Sequence, residues 1–190
     1  MNKEEEGRIM ALATLAAPPP ADQLATPLDY LFADHFRLRT LCRMIDLIAD
    51  DESCDDECIE SVLRFLRGDF VPHIHDEEED LFPMLRVRTE PEDRIDDILD
   101  TLIQEHAADR LDAEAIVAGL SRMETGNALS RSFRKQLRRF AANERRHLTL
   151  ENAIVLPLAR ARLKIDDLRN LGRNMAARRG IGGPEASDAV

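Results

Sequence analysis

The chain has 190 residues, 44% hydrophobic and 33% charged, enough to close one compact domain with or without a tail. Its net charge of −11 and pI near 4.9 argue against a nucleic-acid surface or an anionic membrane, both of which call for positive charge. No apolar run reaches the roughly 18 residues of a membrane span, and the acidic KEEEGR ahead of IMALATLAA lacks the positive flank of an export signal.

Aromatics are scarce at 4%, and Ala, Leu, Arg, Asp and Glu dominate, so helix is the expected element. Residues 1–26 carry Pro18-Pro19-Pro20 and little periodicity, and read as a flexible tail. A first helix is expected from Thr26-Pro27-Leu28-Asp29, with Thr26 as cap, Pro27 at the first helical position and Asp29 on the positive end of the dipole. Leu28, Leu31, Leu38, Cys42, Ile45 and Ile48 trace its apolar stripe, and His35 lies inside it. A second helix starts between Ser53 and Asp56 and carries Ile59, Leu63, Leu66, Phe70, His73, Glu77, Leu81 and Met84. Gly68 and Pro72 should kink it, because Pro72 lacks a backbone donor. The third opens at Thr89-Glu90-Pro91-Glu92 and runs through Ile95, Leu99, Leu102, His106, Ala113, Val117 and Leu120. Gly126-Asn127 breaks the chain before a fourth, with Phe133, Leu137, Phe140, Glu144, His147, Glu151, Ile154 and Leu158. A short helix over about 165–178 precedes a Gly-rich, disordered end. The expectation is all-α: an up-down-up-down four-helix bundle over 27–162, with a short extra helix and tail over 163–190.

Three cysteines, Cys42, Cys54 and Cys58, make no disulfide framework and suit a reducing cytoplasm. Cys54 and Cys58 share a helix face and read as small residues near a helix start, with a redox pair or auxiliary metal site as the alternative. Nearby acids would raise their thiol pKa. The basic RSFRKQLRR, 131–139, in so acidic a chain suits an intramolecular surface, a partner protein or a homodimer rather than DNA.

Each of the four apolar stripes is interrupted by a histidine: His35, His73, His106 and His147. One such residue is ordinarily a hydrogen-bonded core side chain. Four that converge are costly to bury unless their lone pairs are used, and a metal uses them. HIHDEEEDLFP and HLTLENAIVLP then align, with His73/His147, Glu77/Glu151 and Pro83/Pro157 recurring at one offset of 74 residues. The chain reads as two hairpins, each giving a lone His and a His-x3-Glu pair whose members share a helix face. With both glutamates bridging, two ions would each take two imidazoles and two carboxylate oxygens, an oxo or hydroxo group completing the set. Mixed imidazole and carboxylate ligation with open positions suits iron better than structural zinc.

The pattern His35…His73-x3-Glu77…His106…His147-x3-Glu151 resembles the hemerythrin-like family, the HHE cation-binding domains, over about residues 27–160. The resemblance implies a four-helix bundle with a non-haem di-iron centre that binds dioxygen, nitric oxide or peroxide. Its suggested roles are sensing, or iron handling under oxidative or nitrosative stress. The chain departs from the oxygen carriers where their third helix has His-x3-His: position 110 is Arg. Their fourth helix has His-x4-Asp in place of His-x3-Glu. Both departures weigh against reversible oxygen transport. The alternatives are a di-iron enzyme reducing peroxide or nitric oxide, and a regulatory bundle without metal. Glu144-x-x-His147 resembles a ferritin-like half-motif, but its counterpart at position 70 is Phe. His75, Glu144 and Arg110 remain as outer-layer candidates, and Asp76, Glu78 and Asp80 read as a solvated face.

Overall fold

The computed structural model describes residues 3–50, 55–122 and 129–182. Among these there is no strand, and four long helical rods carry the architecture. Helix α1 (Lys3–Ala16) precedes the first rod, α2 (Pro27–Asp50). The second rod chains α3 (Asp56–Gly68), α4 (Phe70–His75), a π-helical turn (Asp76–Leu81) and α5 (Phe82–Arg88). The third is α6 (Asp96–Leu120). The fourth chains α7 (Arg131–Leu150), a second π-helical turn (Glu151–Val155) and α8 (Leu156–Arg162). Helix α9 (Ile165–Arg178) follows. Each rod packs against the rods before and after it, and α2 closes the ring on α7, as an up-down-up-down bundle requires.

Local chemistry sets the rod ends. The Asp55 carboxylate caps α3 by accepting from the Cys58 N–H (3.1 Å), and the Ser130 hydroxyl caps α7 by accepting from the Phe133 N–H (3.2 Å). Thr26 does not cap α2 as expected: its hydroxyl donates back to the Gln23 carbonyl at 3.2 Å. The rod is interrupted at Asp69, between α3 and α4, near the expected Gly68/Pro72 kink. The Gly126-Asn127 break and the chain end past 182 lie outside the described residues.

The amino terminus departs from the expected tail. Lys3–Ala16 is helical, with Ala11 and Leu15 buried against α2 and α3. Its last carbonyls find an unusual partner in Arg37 of α2, which donates to Thr14 O (3.3 Å) and Leu15 O (2.8 Å). The cysteine reading also changes. Cys58 is disulfide-bonded and Cys42 is free and buried, so the cysteine count no longer supports a reducing compartment. Cys54 lies outside the described residues. No described helix is long and apolar enough to cross a membrane. The arginines of α7 are matched within the chain: Arg138 to Asp50, Arg139 to Asp112, Arg145 to Asp46.

Two hydrophobic cores form along the bundle. One gathers Leu38, Leu41, Met44, Phe65, Phe70, Leu137 and Phe140; the other Leu28, Leu31, Leu81, Phe82, Leu99, Leu102 and Leu156. Each large apolar side chain taken out of water contributes about 1.5–3 kcal/mol. A buried polar layer accompanies them: Asp34, His35, His73, Asp76, Glu77, His106, Asp109, Glu144, His147 and Glu151.

Candidate metal centre

Glu77 and Glu151 each begin near the start of a π-helical turn, and the cause is the proline six residues on. Pro83 and Pro157 have no N–H for the carbonyl four residues back, and their rings crowd it. The residue before each proline reaches one step further instead: Phe82 N–H bonds to Glu77 O and Leu156 N–H to Glu151 O. Each turn thus takes an extra residue at the glutamate, a local widening that recurs at functional sites in helices.

The histidines arrive from four different rods. Ligand atoms of His35, His73, Glu77 and Glu151 all lie within 4.8 Å of one another, and so do those of Glu77, His106, His147 and Glu151. Both glutamates belong to both groups. His35 Nε2 is 3.3 Å from Glu77 Oε1 and 3.5 Å from Glu151 Oε2. His73 Nε2 and His106 Nε2 stand 3.5 and 3.4 Å from Glu77 Oε2, and His147 Nε2 is 3.0 Å from Glu151 Oε1. The His106 ring also stacks on Phe82, with centroids 6.0 Å apart.

Every imidazole therefore turns Nε2 inward, and its Nδ1 is met from outside. His35 Nδ1 faces Asn152 Oδ1 (3.0 Å), His106 Nδ1 faces Glu78 Oε1 (3.0 Å) and His147 Nδ1 faces Glu105 Oε2 (3.1 Å). Asp34 Oδ2 lies 3.1 Å from His73 Nδ1, an ion-pair contact outside hydrogen-bond geometry. Such partners fix the tautomer and the ring orientation of a ligating histidine. They are anchored in turn: Asp34 by Arg37 (2.8 Å), Glu78 by Arg110 (3.2 Å) and Glu105 by Arg146 (3.0 Å).

The electrostatics follow from two carboxylates shut in with four imidazoles. Burial disfavours the charged forms, yet Glu77 and Asp34 lift His73 to about 10, Glu77 and Glu78 lift His106 to about 9, and Glu151 lifts His147 to about 11. Burial likewise opposes ionisation of Glu77, but His73, His106 and His35 hold it well below the usual carboxylate range. The pocket is a sink for positive charge. Glu77 Oε2 and Glu151 Oε2 are buried without a hydrogen-bond partner, one orphaned oxygen on each shared glutamate. Buried acceptors of this kind are rare in folded chains, and a cation between the two groups would use both. The donor set fits metal ions.

Of the outer-layer candidates, Glu144 is buried on α7, and Arg110 meets the centre only through Glu78. His75 is exposed (side chain 39%), 3.9 Å from Glu79, and belongs to neither group. The solvated-face reading of the neighbouring acids does not hold. Asp76 is fully buried against Arg178 and Arg179, Asp80 is buried against Arg178 and Asn174, and Glu78 holds His106. Asp34, Glu105 and Asn152 were not singled out from sequence. The signal was adjacency: Asp34 and Glu105 each precede a lone histidine, and Glu78 and Asn152 each follow a shared glutamate.

A helical bundle with paired, buried His/Glu groups defines a class of metal-binding proteins. A family model, the hemerythrin HHE cation-binding domain, matches residues 26–159, and the chain belongs to that family. Among curated proteins no match to the chain is found.

Proposed function

We propose that the chain is a non-haem di-iron protein whose metal pair meets dioxygen, nitric oxide or peroxide, in sensing or in iron handling under oxidative or nitrosative stress. His35 and His73 hold one ion, His106 and His147 the other, and Glu77 and Glu151 bridge them. The observation that supports this is the sharing of both glutamates by two otherwise separate groups. Iron fits the mixed imidazole and carboxylate donors better than zinc, whose structural sites are closed. Bound iron would supply Lewis acidity and one-electron redox chemistry.

The chain's own residues do the rest. Asp34, Glu78, Glu105 and Asn152 keep each Nδ1 outward, so each Nε2 lone pair stays aimed at the centre. The two apolar cores keep bulk water from the centre. His73, His106 and His147 must give up protons to take a metal, so affinity falls on acidification and proton release accompanies loading.

Anaerobic ferrous loading followed by metal analysis tests the reading: about two irons per chain are expected, and none after such loading overturns it. The same ligands would serve an enzyme reducing peroxide or nitric oxide, a reading favoured by the buried acids Asp109 and Glu144. Repeated consumption of ligand, against one stable adduct per centre, separates the two.

A further inference from the structure

The pseudo-twofold relating the two hairpins fails in one layer beside the centre. Three residues after the lone histidine stands Leu38 in the first hairpin and Asp109 in the second. Three residues before the histidine of each His-x3-Glu pair stand Phe70 and Glu144. Three residues is just under one helical turn, so each lies beside its histidine on one helix face. All four are buried: Leu38 0% exposed, Phe70 1%, Asp109 2%, Glu144 3%. One hairpin thus borders its metal position with hydrocarbon and an aromatic ring that packs edge-on against Phe140. The other borders its position with two carboxyl groups.

Those carboxyls lack the partners that burial ordinarily demands. Asp109 Oδ2 is enclosed with no hydrogen-bond partner. The groups acting on Glu144 are the charges of His147, Asp109, His73 and Glu151, with no hydrogen bond among them. Arg110, one residue past Asp109, is engaged with Glu78 and offers no relief. A hydrogen-bonding visitor at the metal position between His106 and His147 would satisfy both acids. Nothing comparable is left wanting around Leu38 and Phe70.

We propose that an exogenous small ligand binds at the His106–His147 position, where Asp109 and Glu144 give it hydrogen bonds, while the His35–His73 position holds its metal without one. This rests on the di-iron reading above. Burial pushes Asp109 up to about 6 and Glu144 up to about 7, which keeps a share of both protonated, as donors, near neutral pH. The two metal positions, alike in their ligands, then divide the work.

The test uses the full-length, ferrous-loaded protein with nitric oxide as probe, read by the infrared N–O stretch in H2O and in D2O. A ligand held by acid protons shows a stretch that moves on deuteration. The double variant Asp109→Leu/Glu144→Leu should lose that isotope shift, and Leu38→Ala should keep both stretch and shift. Should the double variant not fold, the isosteric Glu144→Gln is read the same way, with a displaced stretch expected. No isotope shift in the parent protein, a shift surviving in the double variant, an unmoved stretch in Glu144→Gln, or a shift abolished by Leu38→Ala would each overturn the proposal. Iron is counted first: absent iron sinks the di-iron reading and this proposal with it, whereas iron present with an indifferent stretch sinks only the asymmetry.

Discussion

The two hairpins of the bundle, 27–88 and 96–162, place their metal-binding groups alike and support them differently. In both, the residue before the lone histidine faces the paired histidine of the same hairpin: Asp34 on His73, Glu105 on His147. In both, the residue after the glutamate crosses to the lone histidine of the other hairpin: Glu78 on His106, Asn152 on His35. Three of these supports are carboxylates and one is a carboxamide. The contrast is larger behind the π-helical turns. Around Glu77, Asp76 is buried between Arg178 and Arg179, and Asp80 takes Arg178 and Asn174, so α9 straps the turn down. Around Glu151 the equivalent turn ends in Asn152, Ala153 and a partly exposed Ile154, with no strap of this kind among the described residues. Ligand geometry is the constrained quantity, since lone pairs must converge within a few ångström. The supports need only hold it, and several chemistries can.

The sharpest way to break the equivalence of the hairpins is through the shared glutamates. Each sits in both groups, so Glu77→Ala and Glu151→Ala should behave alike: loss of iron from both positions, and destabilisation of roughly 3–5 kcal/mol from imidazoles left facing an uncompensated pocket. Metal analysis with urea denaturation measures both. A Glu151→Ala protein that still holds one iron would show that only Glu77 is shared.

The strap should act on the first hairpin alone. Arg179→Ala removes a buried partner of Asp76 and a cation stacked 4.9 Å over the Tyr30 ring. The expected loss is about 1–3 kcal/mol, because Arg178 still reaches Asp76. Arg178→Ala alone should cost a similar amount, and the pair more than the sum, since the last substitution orphans a carboxylate that is fully buried. Double-mutant cycles in urea check this. A strictly additive pair would mean that the strap is surface decoration.

Much of this comparison could be read from the chain, and the part that could not has a physical reason. His35, His73, His106 and His147 stand out because a polar residue inside an apolar stripe contradicts the helical period, and the offset of 74 residues pairs the halves. The π-helical turns also left a mark, in Pro83 and Pro157, but the step to a widened turn needed the bonds from Phe82 and Leu156. Asp76 and Asp80 were unreadable for another reason. An acid in DEEED on a helix looks solvated until something covers it, and the cover is Arg178 and Arg179, about a hundred residues on. Helix α1 was hidden by its weak stripe, and its closing carbonyls rely on Arg37, from another helix. Long-range polar pairs of this sort leave no periodic trace.

The smallest expected effect falls where the sequence was most ambiguous, at the two histidines of HIH. His73 is 2% exposed with Nε2 turned to Glu77, whereas His75 lies on the far side of the helix with only Glu79 near it. Two residues apart on a helix is about 200°, so both cannot serve one centre. His75→Ala should therefore leave iron content and the visible absorption of the loaded protein unchanged, with stability within about 0.5 kcal/mol of the parent. His73→Ala should empty the His35 position and leave Asp34 buried beside Arg37 without its imidazole. If His75→Ala stripped the iron and His73→Ala kept it, the register of the second rod would be wrong by half a turn, and the pairing with His147-x3-Glu151 would fall with it.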